Sequence, residues 1–391
     1  LKSGLGKTYF WDVEGLKPLD DGRFEISLSQ PSGSFLTRLS LWPAFITIPK
    51  KPFPVGTGPF KIKSWNVQMG AVVLEASKGY WGAPPKIKEL VFRASADSSA
   101  QASMLLQGDA HLATALSPEA ASKLEKKDSV HVFKTATNVA VYLFFNTKKP
   151  YLASREVRIA LSKAVPTSKL LSDLYNQAAR RAKGSLPPVL SAARVVKGGG
   201  PPRYAPQEAK AALKGKKLKD TTLSIYLPSQ PRSSVPDPQK MGRLLVEGFA
   251  AAGVKAKAVY LPSKEFYAAC ARGDHDLAVF GWIPDYPDPE NVYFLLSSQG
   301  TKAGYNLALY HDETYEKLMS NARTERNPEK RRALFYKMEK HLKETRPWVP
   351  LVHVAGFVGV RNEVKGLKLG VEQCLGGADL FLRGAYLEKE K

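Results

Sequence analysis

Cysteine is scarce: Cys270 and Cys374 are the only two in 391 residues. That excludes a small disulfide-stapled scaffold. The two can form a bridge only if the fold brings them together, so they leave the redox compartment open. Long apolar runs are also missing. No stretch approaches the roughly 18 uninterrupted apolar residues of a membrane helix. The opening LKSGLGKTYFWDVEG has none of the basic start, apolar middle and small-residue cleavage site of a secretion signal. Either such a signal has been removed or it was never present.

Catalytic signatures are equally thin. His111, His131, His275, His311, His341 and His353 are scattered, with no pair at helical i, i+4 spacing and no HExxH. No G-x-S-x-G elbow, phosphate-gripping loop or dinucleotide fingerprint follows an expected strand. The glycine run KGGGPP lacks the Lys-Ser/Thr ending that would let it cradle phosphate. Cys270 and His275 are two ligands without a third, a poor metal site. The expectation is a protein that is not an enzyme, with no catalytic residue, no metal and no cofactor.

Acidic residues are outnumbered, 36 Asp and Glu against 58 Lys and Arg, for a net charge of +22. Such a balance suits a nucleic acid, an anionic membrane face or an acidic partner. The basic residues are spread along the chain, with local excesses at AARRAKG (178–184) and KAALKGKKLK (210–219). Neither is interleaved with the stacking aromatics of a single-strand binder, and no zinc-finger, RNP or basic-zipper pattern occurs. Nucleic acid is therefore not the expected partner; a solvated basic face is.

What is present is globular: 43% hydrophobic and 24% charged residues in a length that favours two domains. The early chain reads as sheet. GRFEISLSQPSGSFLTRL (22–39) alternates, breaks at Pro31-Ser-Gly and becomes helical; GTGPFKIKSW (56–65) and AVVLEAS (71–77) pair as a hairpin. SAQASMLLQGDA (99–110) has helical spacing up to Gly108. After the apolar strand VAVYLFFNT (139–147) helices and strands alternate. Helical patterns cover 154–164, 168–178, 206–214, 237–253, 263–273 and 327–344; strands cover 223–227, 257–261, 276–282 and 348–360. This is βαβ logic and predicts an α/β domain with a partly parallel sheet. The glycine-rich VVKGGGPPRYAP (195–206) reads as a surface loop.

The strand DLAVFGW ends in GWIPDYPDPEN (281–291), three prolines and three carboxylates behind a Gly-Trp pair. Ligands of α/β sheets dock outside the carboxyl ends of strands. There Trp282 offers a flat apolar surface and Asp285 a fixed negative charge. The plainer alternative is that Trp282 is core and that Asp285 only shapes a turn. Asp288 reads as a cap of the helix that opens near Pro289.

These motifs carry a resemblance. GTGPFKIKSW, YWGAPPKIKELVFR, VYLFFNTKKP followed by REVRIALSKAV, and GWIPDYPDPEN followed by YNLALYHDETYEKLM are similar in order and spacing to the family 5 extracellular solute-binding proteins, from about residue 14 to 365. These are the dipeptide- and oligopeptide-binding proteins of ATP-driven importers. The resemblance implies an α/β, two-lobed fold with a hinge and mixed sheets in both lobes, closing on an extended ligand. Residues 1–138 would form lobe I, 139–350 lobe II, and 351–391 a return to lobe I. In peptide-binding members the aspartate three positions after the Gly-Trp pair holds the peptide's α-amino group and the tryptophan lines the pocket, here Asp285 and Trp282. Tyr305 and Asn306, in AGYNLALY, match a segment near that pocket.

The resemblance further implies an extracytoplasmic protein, periplasmic or lipid-anchored, that carries a peptide or similar solute to an ABC permease. Two departures stand out. Family members begin well before the point where this chain begins, so a first part of lobe I and any anchor are expected to be missing from it. SKAVPTSKLL (162–171) has Pro166-Thr167 where the family carries an acidic-basic pair. With the basic charge, these leave a second reading open, a scaffold or adaptor that keeps the fold and docks to an acidic protein partner.

Overall fold

The computed structural model describes residues 6, 9–45, 47–95, 97–114, 116–176, 178–190, 199–216, 218, 221–370, 379–381 and 384–388. The chain divides into two compact units, one of Leu1–Lys7, Leu39–Thr137 and Gly356–Lys391, the other of Thr8–Arg38 and Asn138–Ala355. Two long strands carry the chain across that division, Val130–Phe145 and Trp348–Arg361.

In the first unit, Phe60–Asn66, Ala71–Ala76 and Glu89–Arg93 form a three-stranded antiparallel sheet. The helices Ser98–Gln107 and Pro118–Leu124 are capped by Asp97 and Ser117, whose side chains accept from Ser99 N and Ala120 N. Gly108, at φ 86°, ends the first of them, as the sequence predicts.

The second unit is built on a mixed sheet. Its strand order is Ala179–Arg181, Trp348–Arg361, Val130–Phe145, Leu277–Trp282, Leu223–Pro228 and Ala256–Leu261. Leu223–Pro228 runs parallel to both Ala256–Leu261 and Leu277–Trp282, joined through the helices Pro238–Ala251 and Ser263–Arg272. This is the expected βαβ alternation. The period-2 pattern of VAVYLFF serves both faces of the sheet. Val141, Leu143 and Phe145 enter a core with Met241, Leu245 and Phe249 of Pro238–Ala251. Ala140, Tyr142 and Phe144 enter another with Phe266, Phe335, Met338 and Trp348. Trp348 stacks on Tyr142 at 4.4 Å.

Helix Pro328–Thr345 opens as its sequence signals, with Asn327 Oδ1 accepting from the amides of Glu329 and Lys330. Three places differ from the sequence reading. The segment 168–178 is not one helix: a short turn Thr167–Lys169 passes into a π-helical turn Leu170–Leu174, and Ala179–Arg181 is an edge strand paired with Val352–Val354. Long-range pairing overrides local spacing there. Residues Thr8–Arg38 pack with the second unit, whereas residues 1–138 were expected together. Burial explains it: Arg38 makes a bidentate ion pair with Asp12, both almost inaccessible, and Ser34 Oγ donates to Glu290 at 2.6 Å. In the loop 195–206, Arg203 and Tyr204 are exposed as a surface loop requires, but Gly199 and Pro201 are buried, and a Cβ on Gly199 would collide with the buried Glu339 carboxylate. Cys270 is buried on helix Ser263–Arg272, and Cys374 lies outside the described residues.

Candidate functional site

The carboxyl ends of the three adjacent strands Leu223–Pro228, Ala256–Leu261 and Leu277–Trp282 each run into a polar loop or helix start. The last of these is GWIPDYPDPEN. Gly281 is required by a close approach: a Cβ there would overlap the Ser234 side chain, on the loop that follows Leu223–Pro228. Gly281→Ala is expected to destabilise the protein by about 1–3 kcal/mol, as overpacked cores do. A chemical-denaturation midpoint equal to that of the parent would refute the close-packed loop.

Beyond the glycine, Asn291 organises the turn. Its Oδ1 accepts from Trp282 Nε1 and from the Asp285 amide, both at 3.0 Å. Trp282 is thereby fixed at the strand end, and the Asp285 side chain stands half-buried on the same turn. The Asp285 carboxylate is hydrogen-bonded by Tyr9 and Asn291, and burial nevertheless pushes its pKa above the usual carboxylate range. Among the described residues no lysine, arginine or histidine makes an ion pair with Asp285.

Asp288, three residues on, has the opposite environment. It caps as predicted, Oδ1 accepting from the Glu290 amide at 2.9 Å, and it also takes both ends of the buried Arg331 guanidinium at 2.5 and 2.8 Å. Glu290 in turn is held by Arg323 at 3.0 Å and by Ser34. The carboxylates at 288 and 290 are therefore neutralised by arginines, and the one at 285 has no such partner among the described residues.

Tyr305 joins Trp282 edge to face, 5.3 Å between ring centroids, and Tyr267 at 5.8 Å; Phe280 and Phe294 complete the aromatic group. Tyr305 is half-buried, with part of its side chain open to solvent. Asn306 is different. Its amide is buried, donates to Thr301 Oγ1 and Tyr310 O at 2.9 Å, and accepts from the Tyr310 amide at 3.2 Å. Those bonds brace the loop that presents Tyr305 and take up both donors of the side chain.

Two side chains that sequence reasoning passed over stand on the same rim. Arg232, on the loop after Leu223–Pro228, donates to Ser263 Oγ at 2.6 Å and is hydrogen-bonded to Tyr267, whose phenol burial pushes up in pKa. Among the described residues no carboxylate pairs with Arg232. Applying the strand-end rule to every parallel strand, and not only to Leu277–Trp282, would have found Arg232 and Tyr267. Tyr9 carried no such signal. The rim thus runs from Asp285, across Trp282, Tyr305 and Tyr267, to Arg232, two charges without an ion-pair partner among the described residues. No set of three His, Cys, Asp or Glu that could hold a metal ion occurs among the described residues.

The chain is similar to known proteins over most of its length. The family model described as bacterial extracellular solute-binding proteins, family 5 Middle, matches residues 2–304. The chain is 30% identical over 380 residues to the probable di/tripeptide-binding protein 5 of Pseudomonas aeruginosa, covering 91% of this chain and 70% of that one. It is 26% identical over 372 residues to the dipeptide-binding protein of Escherichia coli, covering 90% and 69%. Its fold superposes with a TM-score of 0.77 on the dipeptide-binding protein from Pseudoalteromonas solved with Met-Leu, at 23% identity, covering 98% and 78%. That fold is α/β and two-lobed, and no helix among the described residues is long and apolar enough to cross a membrane. With a family model that matches most of its length and a relative at 30% identity, the chain belongs to the family 5 bacterial extracellular solute-binding proteins.

Proposed function

We propose that this protein is the extracytoplasmic solute-binding component of an ABC importer, periplasmic or lipid-anchored, and that its cargo is a short peptide with free termini. The observation that carries this reading is the half-buried Asp285 carboxylate without a cationic partner among the described residues. A peptide ammonium supplies that partner. In a site partly screened from water, such a charge-assisted bond is stronger than an exposed one. Trp282 and Tyr305 offer rings for an apolar side chain of the ligand, and Arg232 offers a fork for its carboxylate. A zwitterion with its charges at opposite ends matches this order of groups. Relatives named for di- and tripeptides point to the same class of cargo. Asn306 acts through the loop that carries Tyr305.

The test is a thermal-shift screen of the protein against a library of di- to octapeptides. A ligand at about a hundredfold excess over its Kd stabilises the folded state by about 2.7 kcal/mol, so hits are plain. Stabilisation by short peptides with free termini is the expected result. Stabilisation only by non-peptide solutes would contradict the reading.

A further inference from the structure

Helices Glu313–Thr324 and Pro328–Thr345 form a hairpin in the second unit, and a groove of about 620 Å³ runs beside its turn. Pro31 belongs to the lining, and two residues on Gly33 N donates to Arg323 O at 2.7 Å. The arginines behind the groove are already neutralised: Arg331 by Asp288, Arg323 by Glu290. The cations lining it are not. Arg326, Lys330 and Lys337 are exposed, and among the described residues none forms an ion pair. Glu325, the one carboxylate in the lining, is engaged by the Asn327 amide at 2.7 Å. The half-buried Leu334 lies between the two lysines on the helix, giving the groove a short apolar floor.

We propose that this groove docks an extended acidic segment of a partner protein. Lys330 and Lys337 are two helical turns apart, so their stems rise about 10 Å along the helix axis. On an extended polyproline-II segment, with three residues per turn and a rise of about 3.1 Å, carboxylates three residues apart share one face at about 9 Å, close to that distance. The match suits one acidic residue in every three, with the backbone between them passing over Leu334. A flat anionic bilayer fits the same charge poorly, because the cations line a concavity and the apolar side of helix Pro328–Thr345, Phe335, Met338 and Leu342, is buried in the core. The surface is separate from the rim that carries Asp285 and does not depend on what that rim binds.

The experiment is fluorescence anisotropy with a labelled decapeptide carrying glutamate at every third position, titrated with the full 391-residue chain in about 0.15 M salt. Three proteins are compared: the parent, Lys330→Glu/Lys337→Glu, and a control of equal charge, Lys214→Glu/Lys216→Glu, at exposed positions elsewhere in the same unit. The proposal expects the groove pair to lose tenfold or more in affinity and the control pair less than twofold. A milder Lys330→Gln/Lys337→Gln pair, with circular dichroism on each variant, separates lost docking from lost fold. Equal losses in groove and control variants would mean a general basic field and overturn the proposal. So would failure of the parent to bind the peptide, or a loss confined to binding of phosphatidylglycerol vesicles.

Discussion

Asp285→Asn is expected to weaken binding of a free-amine peptide by about 2–5 kcal/mol, the usual loss when one member of a buried hydrogen-bonded charge pair is removed. The same substitution leaves the unliganded protein's melting temperature unchanged or raises it. The sign follows from the environment. Burial raises the Asp285 carboxyl pKa in the folded state, so the folded chain binds that proton more readily than the unfolded one. The stability this group contributes is fully present below the unfolded carboxylate range, and it is lost as pH rises through the folded value. At neutral pH the charged form is a cost that asparagine removes. Ligand affinity runs the other way: acidification through the raised Asp285 value protonates the anchor and releases the peptide. Calorimetric titrations on both variants across pH 4–8 check this. A variant that binds peptide as the parent does, but melts lower without ligand, would make Asp285 a turn residue only.

Arg331→Met should have the largest effect on folding itself. The guanidinium bridges Asp288 twice, donates to Ala322 O at 2.7 Å and approaches Glu290 at 3.5 Å, all out of solvent. Removing one partner of a buried ion pair leaves a charge uncompensated, at a cost of about 3–5 kcal/mol. Here two carboxylates lose a neighbour. Replacing both partners, Asp288→Leu with Arg331→Met, is expected to cost less than Arg331→Met alone, because no unpaired charge remains at 288. Urea unfolding of the three variants decides it. A loss below about 1 kcal/mol for Arg331→Met would contradict a buried, tightly held pair. The effect differs in kind from that of Asp285→Asn, although the two aspartates sit three residues apart on one loop.

That contrast marks how far the sequence could be read. The alternation of VAVYLFF, the βαβ order through Leu277–Trp282 and the Asn327-Pro328 cap are local signals, and the structure follows each. Trp282 and Asp285 were singled out because a strand end with an aromatic and a carboxylate is a recognisable place in an α/β sheet. What separates Asp285 from Asp288 was not legible. Their difference is made by Arg331, 43 positions beyond Asp288 in the chain, and by what lies over each carboxylate. Asn306 was singled out because AGYNLALY matches a segment near the family's pocket, and the backbone of its own loop takes its amide. Arg232 was hidden in SQPRSSVPD because no pattern marks a cation whose role is set by Ser263 and Tyr267 across the rim. Segment 8–38 was placed with the first unit because nothing in its alternation announces the buried Arg38–Asp12 pair.

The central claim is that Asp285 holds a peptide's ammonium group. Its most direct test is calorimetric titration of the protein with one dipeptide identified in the library screen, in its free form and N-acetylated. Acetylation removes the positive charge and leaves the side chains in place. The account predicts a loss of about a hundredfold or more in affinity for the acetylated form, equivalent to about 2.7 kcal/mol or more. In Asp285→Asn the difference between the two forms should shrink to within about tenfold. Equal affinity of the parent protein for both forms would contradict the account.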